Sequence, residues 1–514
     1  MTQTIEKWGI FELAFSLPET EALFQNPFLE GELKARFQNG YHTLTVDGFY
    51  DGDGVWKLRF MPQHTGEYQY TVFSNLPSLN KTTGSFLCRE PAQGNHGPVR
   101  VAKKFHFAYE DGTPLFVLGT TAYAWTTSSP ETRRKTVESV ASYGFNKLRM
   151  GFFPKHLKAQ KLTEVTIDIA QDPPDLPFAG EAGSLDFTRP NPAYFRRFEE
   201  DVAALLERGI EADVILFHFY DFDRWGINPG MSERDDLFYV RYLAARLSAF
   251  RNVWWCLANE YDLLLTPLSE NDHTVKSLSD LKNWDRIGKA LREADPYGHL
   301  RSIHNFTVGA VPDFDWLTHT VFQNSNTYCA VLDFKAKFQR PVIADEYGYE
   351  GNITGSVWGD RTPEEELERH IRAVMAGGYA SHGEAYIVNG NNRDIFWAYG
   401  GEMVGESAPR LQYFGEIMKD LPFDQMEPEI IMMNTSSGLC LHKGSELFLL
   451  FFRRPEDPAG FSFLTTDMAE EYELMVYDLW NRRECHKGTA AQGHVDVALP
   501  EWALVRLEAK KKAR

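Results

Sequence analysis

Two carboxylates sit where a chain could put them to chemical use. In NVWWCLANEYD (residues 252–262) an apolar, strand-like run ends in Asn259-Glu260. In RPVIADEYG (340–348) Pro341 opens a second run that ends in Asp345-Glu346-Tyr347-Gly348. A carboxylate at each of two strand tips is the minimum equipment for cleaving a glycosidic bond. One group protonates the departing oxygen and later activates water, while the other attacks the anomeric carbon, which for retention requires a separation of ~5–5.5 Å. The two environments must also push the pKa values apart, so that one group is an acid and the other an anion.

The elements needed to hold such tips together can be read from the middle of the chain. Between residues 98 and 425, short apolar runs alternate with helical patterns, the signal of repeated βα units. The strand candidates are Leu115–Thr120, Asn146–Phe152, Ala212–His218, Val253–Asn259, Arg301–Asn305, Thr318–Gln323, Val342–Glu346 and Glu384–Val388. Val214-Ile215-Leu216-Phe217 is apolar throughout, as suits a parallel strand buried on both faces. Phe195, Phe198, Val202, Leu205 and Leu206 fall on one helical face that stops at Arg208-Gly209. Eight units in some 300 residues predict an α/β fold, a (β/α)8 TIM barrel with its active site at the C-terminal strand ends. A doubly wound sheet is the alternative, but no GxGxxG follows any run. Residues 1–97 and 426–514 show alternating strands and turn chemistry instead. They predict an N-terminal Ig-like β-sandwich and a small C-terminal β-sandwich.

Given a barrel, residues just beyond the strands become site candidates. Arg149 lies within strand two, and a buried arginine needs a carboxylate partner, for which strand seven is the nearest source. His218, Tyr220 and Asp221 follow strand three, and Asn305 follows His304 after strand five. Their donors and acceptors suit sugar hydroxyls. Trp125, Trp225 and Trp397 fall in post-strand segments and could stack on the apolar faces of sugar rings. Glu384, near strand eight, is a competing carboxylate. It would bind sugar hydroxyls, or displace Glu346 as nucleophile if the strand count is off by one. Glu350 lies beyond the strand-seven tip.

Asn259-Glu260 after strand four with Glu346 after strand seven resembles clan A of the glycoside hydrolases. That resemblance implies Glu260 as acid/base, Glu346 as nucleophile, Asn259 on the sugar 2-hydroxyl and Arg149 in support of the nucleophile. The blocks GFYDGDGVWKLRFMP (48–62), LFHFYDFDRWG (216–226) and FWAYGGEMVGESAPR (396–410) are similar to apiosidase-like glycosidases. In that group a β-sandwich of unknown function precedes the barrel and a smaller one follows it. YELMVYDLWNRREC (472–485) is similar to the C-terminal sandwich of such chains.

Composition narrows the remaining classes. With 72 Asp+Glu against 53 Lys+Arg the net charge is −19, a field that repels nucleic acid. Five scattered cysteines without a CxxC argue against a disulfide framework and against a thiolate zinc site. No basic-then-apolar leader and no apolar stretch of membrane-spanning length is read in the sequence, so the expectation is a cytoplasmic enzyme with no membrane partner and no cofactor. Its expected substrate is a short oligosaccharide or small glycoside. Two other readings stay open. His218, Asp221 and His304 could form a metal site for a metal-dependent barrel hydrolase, although HExxH is absent. Alternatively, the chain could be a carbohydrate-binding barrel without catalysis.

Overall fold

The computed structural model describes residues 3–19, 23–155, 160–161, 166–167, 173–219, 225, 231–265, 282–356, 358–388, 390, 395–429, 432–433, 438–455, 459–464 and 468–510. Its centre is one sheet of eight parallel strands. These are β1 (Leu118–Thr121), β2 (Lys147–Gly151), β3 (Glu211–Phe217), β4 (Val253–Ala258), β5 (Arg301–Ser302), β6 (Thr320–Gln323), β7 (Val342–Glu346) and β8 (Tyr379–His382). The order β5-β4-β3-β2-β1-β8-β7-β6 joins the first strand to the last, leaving β5 and β6 as the sheet ends. Thr318, just before β6, donates its N–H to the Arg301 carbonyl on β5 at 3.0 Å, so the barrel is nearly closed.

Local sequence explains the clearest of these elements. Every residue of β3 and β4 is buried, as suits the apolar runs Val214–Phe217 and Val253–Ala258 in strands covered on both faces. The helix Pro192–Glu207 begins with proline at its first position, where a missing N–H costs nothing, and the Asn191 side chain accepts from the Ala193 N–H. Its buried residues include Phe195, Phe198, Val202 and Leu205, the predicted face.

Two strand predictions need correction. Leu115 belongs to a separate antiparallel sheet of Val99–Ala102, His106–Tyr109 and Pro114–Leu115, so the first barrel strand starts three residues later. Phe107 of this sheet lies 5.1 Å from the Trp254 ring and 5.2 Å from the Tyr379 ring, both near strand starts, so the sheet covers the end of the barrel opposite the site. The eighth strand is Tyr379–His382, and Glu384–Ala385 instead pairs in parallel with Glu350–Gly351. The apolar run Ala385-Tyr386-Ile387-Val388 looked more like a strand than Tyr379-Ala380-Ser381-His382 does. Ser381 and His382 are nevertheless fully buried, because the Ser381 hydroxyl bonds Asp345 at 2.6 Å and His382 lies 3.2 Å from the Thr120 hydroxyl.

On the N-terminal side, one sheet orders Thr4–Glu6, Thr83–Arg89, Gly66–Ser74, Leu33–Asn39 and His42–Asp47. A second orders Phe11–Ser16, Val55–Phe60 and Phe49–Tyr50. Both contribute to one apolar cluster, in which Phe37 stacks on Phe60 at 3.9 Å and Phe11 on Phe86 at 4.1 Å. On the C-terminal side, a six-stranded antiparallel sheet centres on Leu447–Arg453, Trp502–Ala509 and Glu471–Asp478.

The join between the N-terminal sheets and the barrel is polar and buried. Arg59 donates to Glu199 at 2.9 Å and to the Arg246 carbonyl at 2.7 Å, and Arg246 in turn pairs with Glu199 and with Asp51 at 2.8 Å. Tyr242 donates to the Tyr50 carbonyl at 2.8 Å, and the Met61 N–H donates to the Tyr297 hydroxyl at 2.7 Å.

Candidate active site

Glu346 ends β7, and the seventh-strand position expected for it is the one it holds. Arg149 reaches it from β2, donating at 3.1 Å, and the Tyr123 hydroxyl, just past β1, donates to the same oxygen. The other Arg149 guanidinium nitrogen donates to the Asn259 side-chain carbonyl at 2.6 Å, and its Nε faces Asp345 at 3.4 Å. Arg149 is fully buried, so the pairing predicted for it is present. Asn259 is 1% exposed, and its side-chain carbonyl is taken by Arg149.

These contacts decide the charge of Glu346. Burial alone would raise its pKa, but His304, Arg149 and the Tyr123 hydrogen bond together hold it below the usual carboxylate range. His304 lies 4.0 Å from the carboxylate, and burial pushes its own pKa down to about 4. At neutral pH the imidazole is therefore neutral, and Arg149 supplies the standing positive charge. The result is an anionic carboxylate whose side chain keeps 12% exposure, enough to face a ligand.

Glu260 follows β4 and has φ +50°, a left-handed backbone uncommon outside glycine. The ladder runs through Asn259, whose N–H bonds the Phe217 carbonyl, and resumes across the next gap with the Tyr261 N–H on the His304 carbonyl. Backbone strain of this kind costs about 1–3 kcal/mol and collects at functional sites, where surrounding structure holds it. Gln323, at the end of β6, donates to Glu260 at 2.9 Å and to the carbonyls of Asn305 and Phe306 at 3.0 and 2.9 Å.

Glu260 and Glu346 line one cavity of about 540 Å³. Trp397 forms part of its wall as predicted, stacked on Trp358 with centroids 4.5 Å apart. The Lys155 ammonium sits 4.0 Å from the Trp397 ring centroid and 4.2 Å from that of Tyr123. One carboxylate is thus held anionic by a guanidinium, and a second is held by an amide. Between aromatic walls, this arrangement can support nucleophilic and acid/base chemistry on a ring-shaped ligand.

The structure moves other expected contacts away from the cavity. Trp125 and Trp225 are buried in the main apolar core and are not among the residues lining the cavity. Glu384 is 1% exposed and accepts the Val404 and Gly405 N–H groups at 2.7 and 2.9 Å; burial lifts its pKa to about 8. It lies two residues past β8 beside Glu350, which accepts the Glu406 and Ser407 N–H groups at 2.7 and 2.9 Å. His218 is buried against the Phe153 carbonyl at 3.3 Å, and Asn305 donates to the Thr307 carbonyl at 2.9 Å; neither lines the cavity. Tyr220 and Asp221 lie outside the described residues.

Tyr123, Lys155, Gln323 and Trp358 are cavity residues that the sequence reading did not single out. Tyr123 and Gln323 obey the strand-tip rule that found the two glutamates and could have been found by it. Lys155 and Trp358 come from loops whose paths the sequence does not disclose.

Comparison with known proteins follows the same lines. A family model described as "Apiosidase-like, catalytic domain" matches residues 102–422. Another, "Domain of unknown function (DUF5060)", matches residues 4–75. A crystal structure from Bacteroides vulgatus ATCC 8482, named "putative glycoside hydrolase", is 30% identical with a TM-score of 0.84, covering 99% of this chain and 100% of that one. A glycoside hydrolase of family 5 from the same organism shares the fold at 15% identity and a TM-score of 0.60, covering 82% of this chain and 95% of that one. No curated protein matches the sequence.

Proposed function

The chain belongs to the apiosidase-like catalytic-domain family and is a glycosidase, and we propose that it cleaves O-glycosidic bonds with retention of anomeric configuration. The observation that carries this reading is Glu346, held anionic by Arg149 and Tyr123 on the same cavity as Glu260. In the first step Glu346 attacks the anomeric carbon as the glycosidic C–O bond breaks, and Glu260 gives its proton to the leaving oxygen. In the second, Glu260 takes a proton from water, the water oxygen bonds the anomeric carbon, and Glu346 departs as carboxylate.

The test begins with a panel of nitrophenyl glycosides, followed by NMR of the first-formed sugar from whichever is cleaved. Retained configuration is expected. Inversion would refute the covalent route and imply carboxylates ~6.5–9.5 Å apart. Saturable binding without turnover of any panel member would favour the carbohydrate-binding alternative. EDTA is expected to leave the rate unchanged, because two carboxylates complete the chemistry. Loss of activity that zinc or manganese restores would favour the metal-dependent reading.

The substrate we infer is a short oligosaccharide or small glycoside trimmed from one end. The cavity falls in the ~300–1,000 Å³ range of small-ligand sites, and half-buried Trp358 on its wall offers an aromatic surface to sugar C–H groups. Trp358→Ala is expected to raise KM by roughly 2- to 10-fold with little change in kcat, as befits an aromatic contact worth ~0.5–1.5 kcal/mol. An unchanged KM would remove Trp358 from the sugar-binding wall. Five free cysteines, three of them buried, support a reducing cytoplasm as the compartment. We further read residues 1–97 as an Ig-like β-sandwich, 98–425 as the catalytic barrel and 426–514 as a smaller β-sandwich, on the strength of the paired sheets in each flank.

A further inference from the structure

Side chains two apart on a strand share a face, so Lys147 and Arg149 on β2 both enter the barrel interior. Lys147 is fully buried, with its ammonium 2.7 Å from Asp213 on β3 and 3.0 Å from Asp345 on β7. Asp345 accepts the Ser381 hydroxyl on one oxygen and faces the Arg149 Nε at 3.4 Å with the other. Arg149 then continues to Glu346. An unbroken polar chain thus runs Lys147–Asp345–Arg149–Glu346, and neither Lys147, Asp213 nor Asp345 lines the cavity.

Barrel interiors are commonly filled by branched apolar side chains, which carry no desolvation cost. Burying two cations and two carboxyls in that layer is expensive, and apolar replacements of similar volume are often neutral or stabilising by comparison. Packing therefore does not explain the layer. Its position under Arg149 does. We propose that Lys147 and Asp345 are positioning residues that lock Arg149 against Glu346 and set the electrostatic field the nucleophile feels. The proposal rests on Glu346 being the nucleophile.

Of the other titratable groups around this layer, the imidazoles of His304 and His319 titrate in the acidic region with Glu346, and they stay in place in every variant below. Burial raises Tyr123 and Tyr349 far above the ordinary phenol range and Cys256 to about 12, while it lowers His304 to about 4 and His319 to about 3. Lys155 and Glu260 face the same cavity and stay in place in the variants below. Asp345 is held below the usual carboxylate range, because Lys147 and Arg149 overcome the burial that would raise it. Asp213 is shifted upward by burial, and Asp345 keeps Arg149 as a partner when Lys147 is replaced.

The experiment is the pH dependence of kcat/KM for the full chain, measured on the nitrophenyl glycoside that the panel identifies. Its acidic limb reports the nucleophile of the free enzyme together with His304, 4.0 Å away, and the shift is read against the wild-type limb. Lys147→Met removes a positive charge and is expected to move that limb up by about half to one pH unit, while Lys147→Arg restores it. Asp345→Asn removes a negative charge and is expected to move it down by a similar amount. A scaffold role would lower kcat in both variants with the limb unmoved or moved the same way, and that result would overturn the proposal. If Lys147→Met does not fold, Asp345→Asn carries the test alone: a downward shift supports the proposal and no shift refutes it. The nucleophile assignment is checked separately, because only its failure would leave Glu346→Gln active.

Discussion

Replacing Glu346 with glutamine is expected to lower kcat on an aryl glycoside by about 10²-fold or more without unfolding the protein, and Glu260→Gln is expected to do the same. The glutamine keeps the volume of each side chain and, at 346, an acceptor for Arg149 and Tyr123. What it removes is the anion that attacks in one case and the transferable proton in the other. The two losses separate by leaving group and by added nucleophile. A dinitrophenoxide departs without protonation, so Glu260→Ala should still form the glycosyl-enzyme, which azide can then attack to give a glycosyl azide of retained configuration. Glu346→Ala cannot form that intermediate and should show no such product. A Gln variant that keeps more than roughly a tenth of the wild-type rate would strip that residue of its role. Azide rescue with the pattern reversed would exchange the two roles.

The second large effect is on Arg149. Arg149→Met should destabilise the fold by about 3–5 kcal/mol, the usual consequence of removing one partner from a buried charge pair. Asp345 and Glu346 both lose their guanidinium, and the Asn259 side chain loses its donor at 2.6 Å. Lys147 still faces Asp345, which limits the loss on that side, but nothing equivalent remains for Glu346 beyond Tyr123 and a neutral His304. Activity should fall along with stability, since the nucleophile loses the cation that keeps it anionic. Denaturant unfolding monitored by tryptophan fluorescence measures the first effect. A loss below about 1 kcal/mol would mean that the buried carboxylates find other partners, contrary to the geometry.

Much of this site was legible because barrel chemistry sits at strand tips and strands buried on both faces are apolar. β4 and β7 announce themselves, and Glu260 and Glu346 stand where their runs end. The same rule failed at β8, whose Ser381 and His382 are buried through hydrogen bonds that only tertiary structure supplies. It also misjudged Trp125 and Trp225, because an indole near a strand end reads alike whether it faces a ligand or a neighbouring helix, and both face the core. Glu384 was a reasonable candidate by type and position. Its oxygens are instead taken by the backbone N–H groups of Val404 and Gly405, a pairing 20 and 21 positions ahead in sequence that no local pattern shows. The Lys147 layer escaped for a related reason. A lysine at a strand start suggests an exposed edge until Asp213 and Asp345 are seen to enclose it.

The buried join between the N-terminal sheets and the barrel bears on how this architecture can be recombined. An accessory unit held by a flexible linker is portable, because cutting it away exposes only surface. Here Arg59 is shared with Glu199 and the Arg246 carbonyl, and Asp51 with Arg246. A barrel excised near residue 97 would carry Glu199 without Arg59 and Arg246 without Asp51, together with the bare flank of the helix Glu233–Leu247. The two parts share buried contacts across this join and are expected to unfold together. A sheet transplanted from a relative would have to bring its own equivalents of Asp51 and Arg59, or the recipient helices would have to change with it.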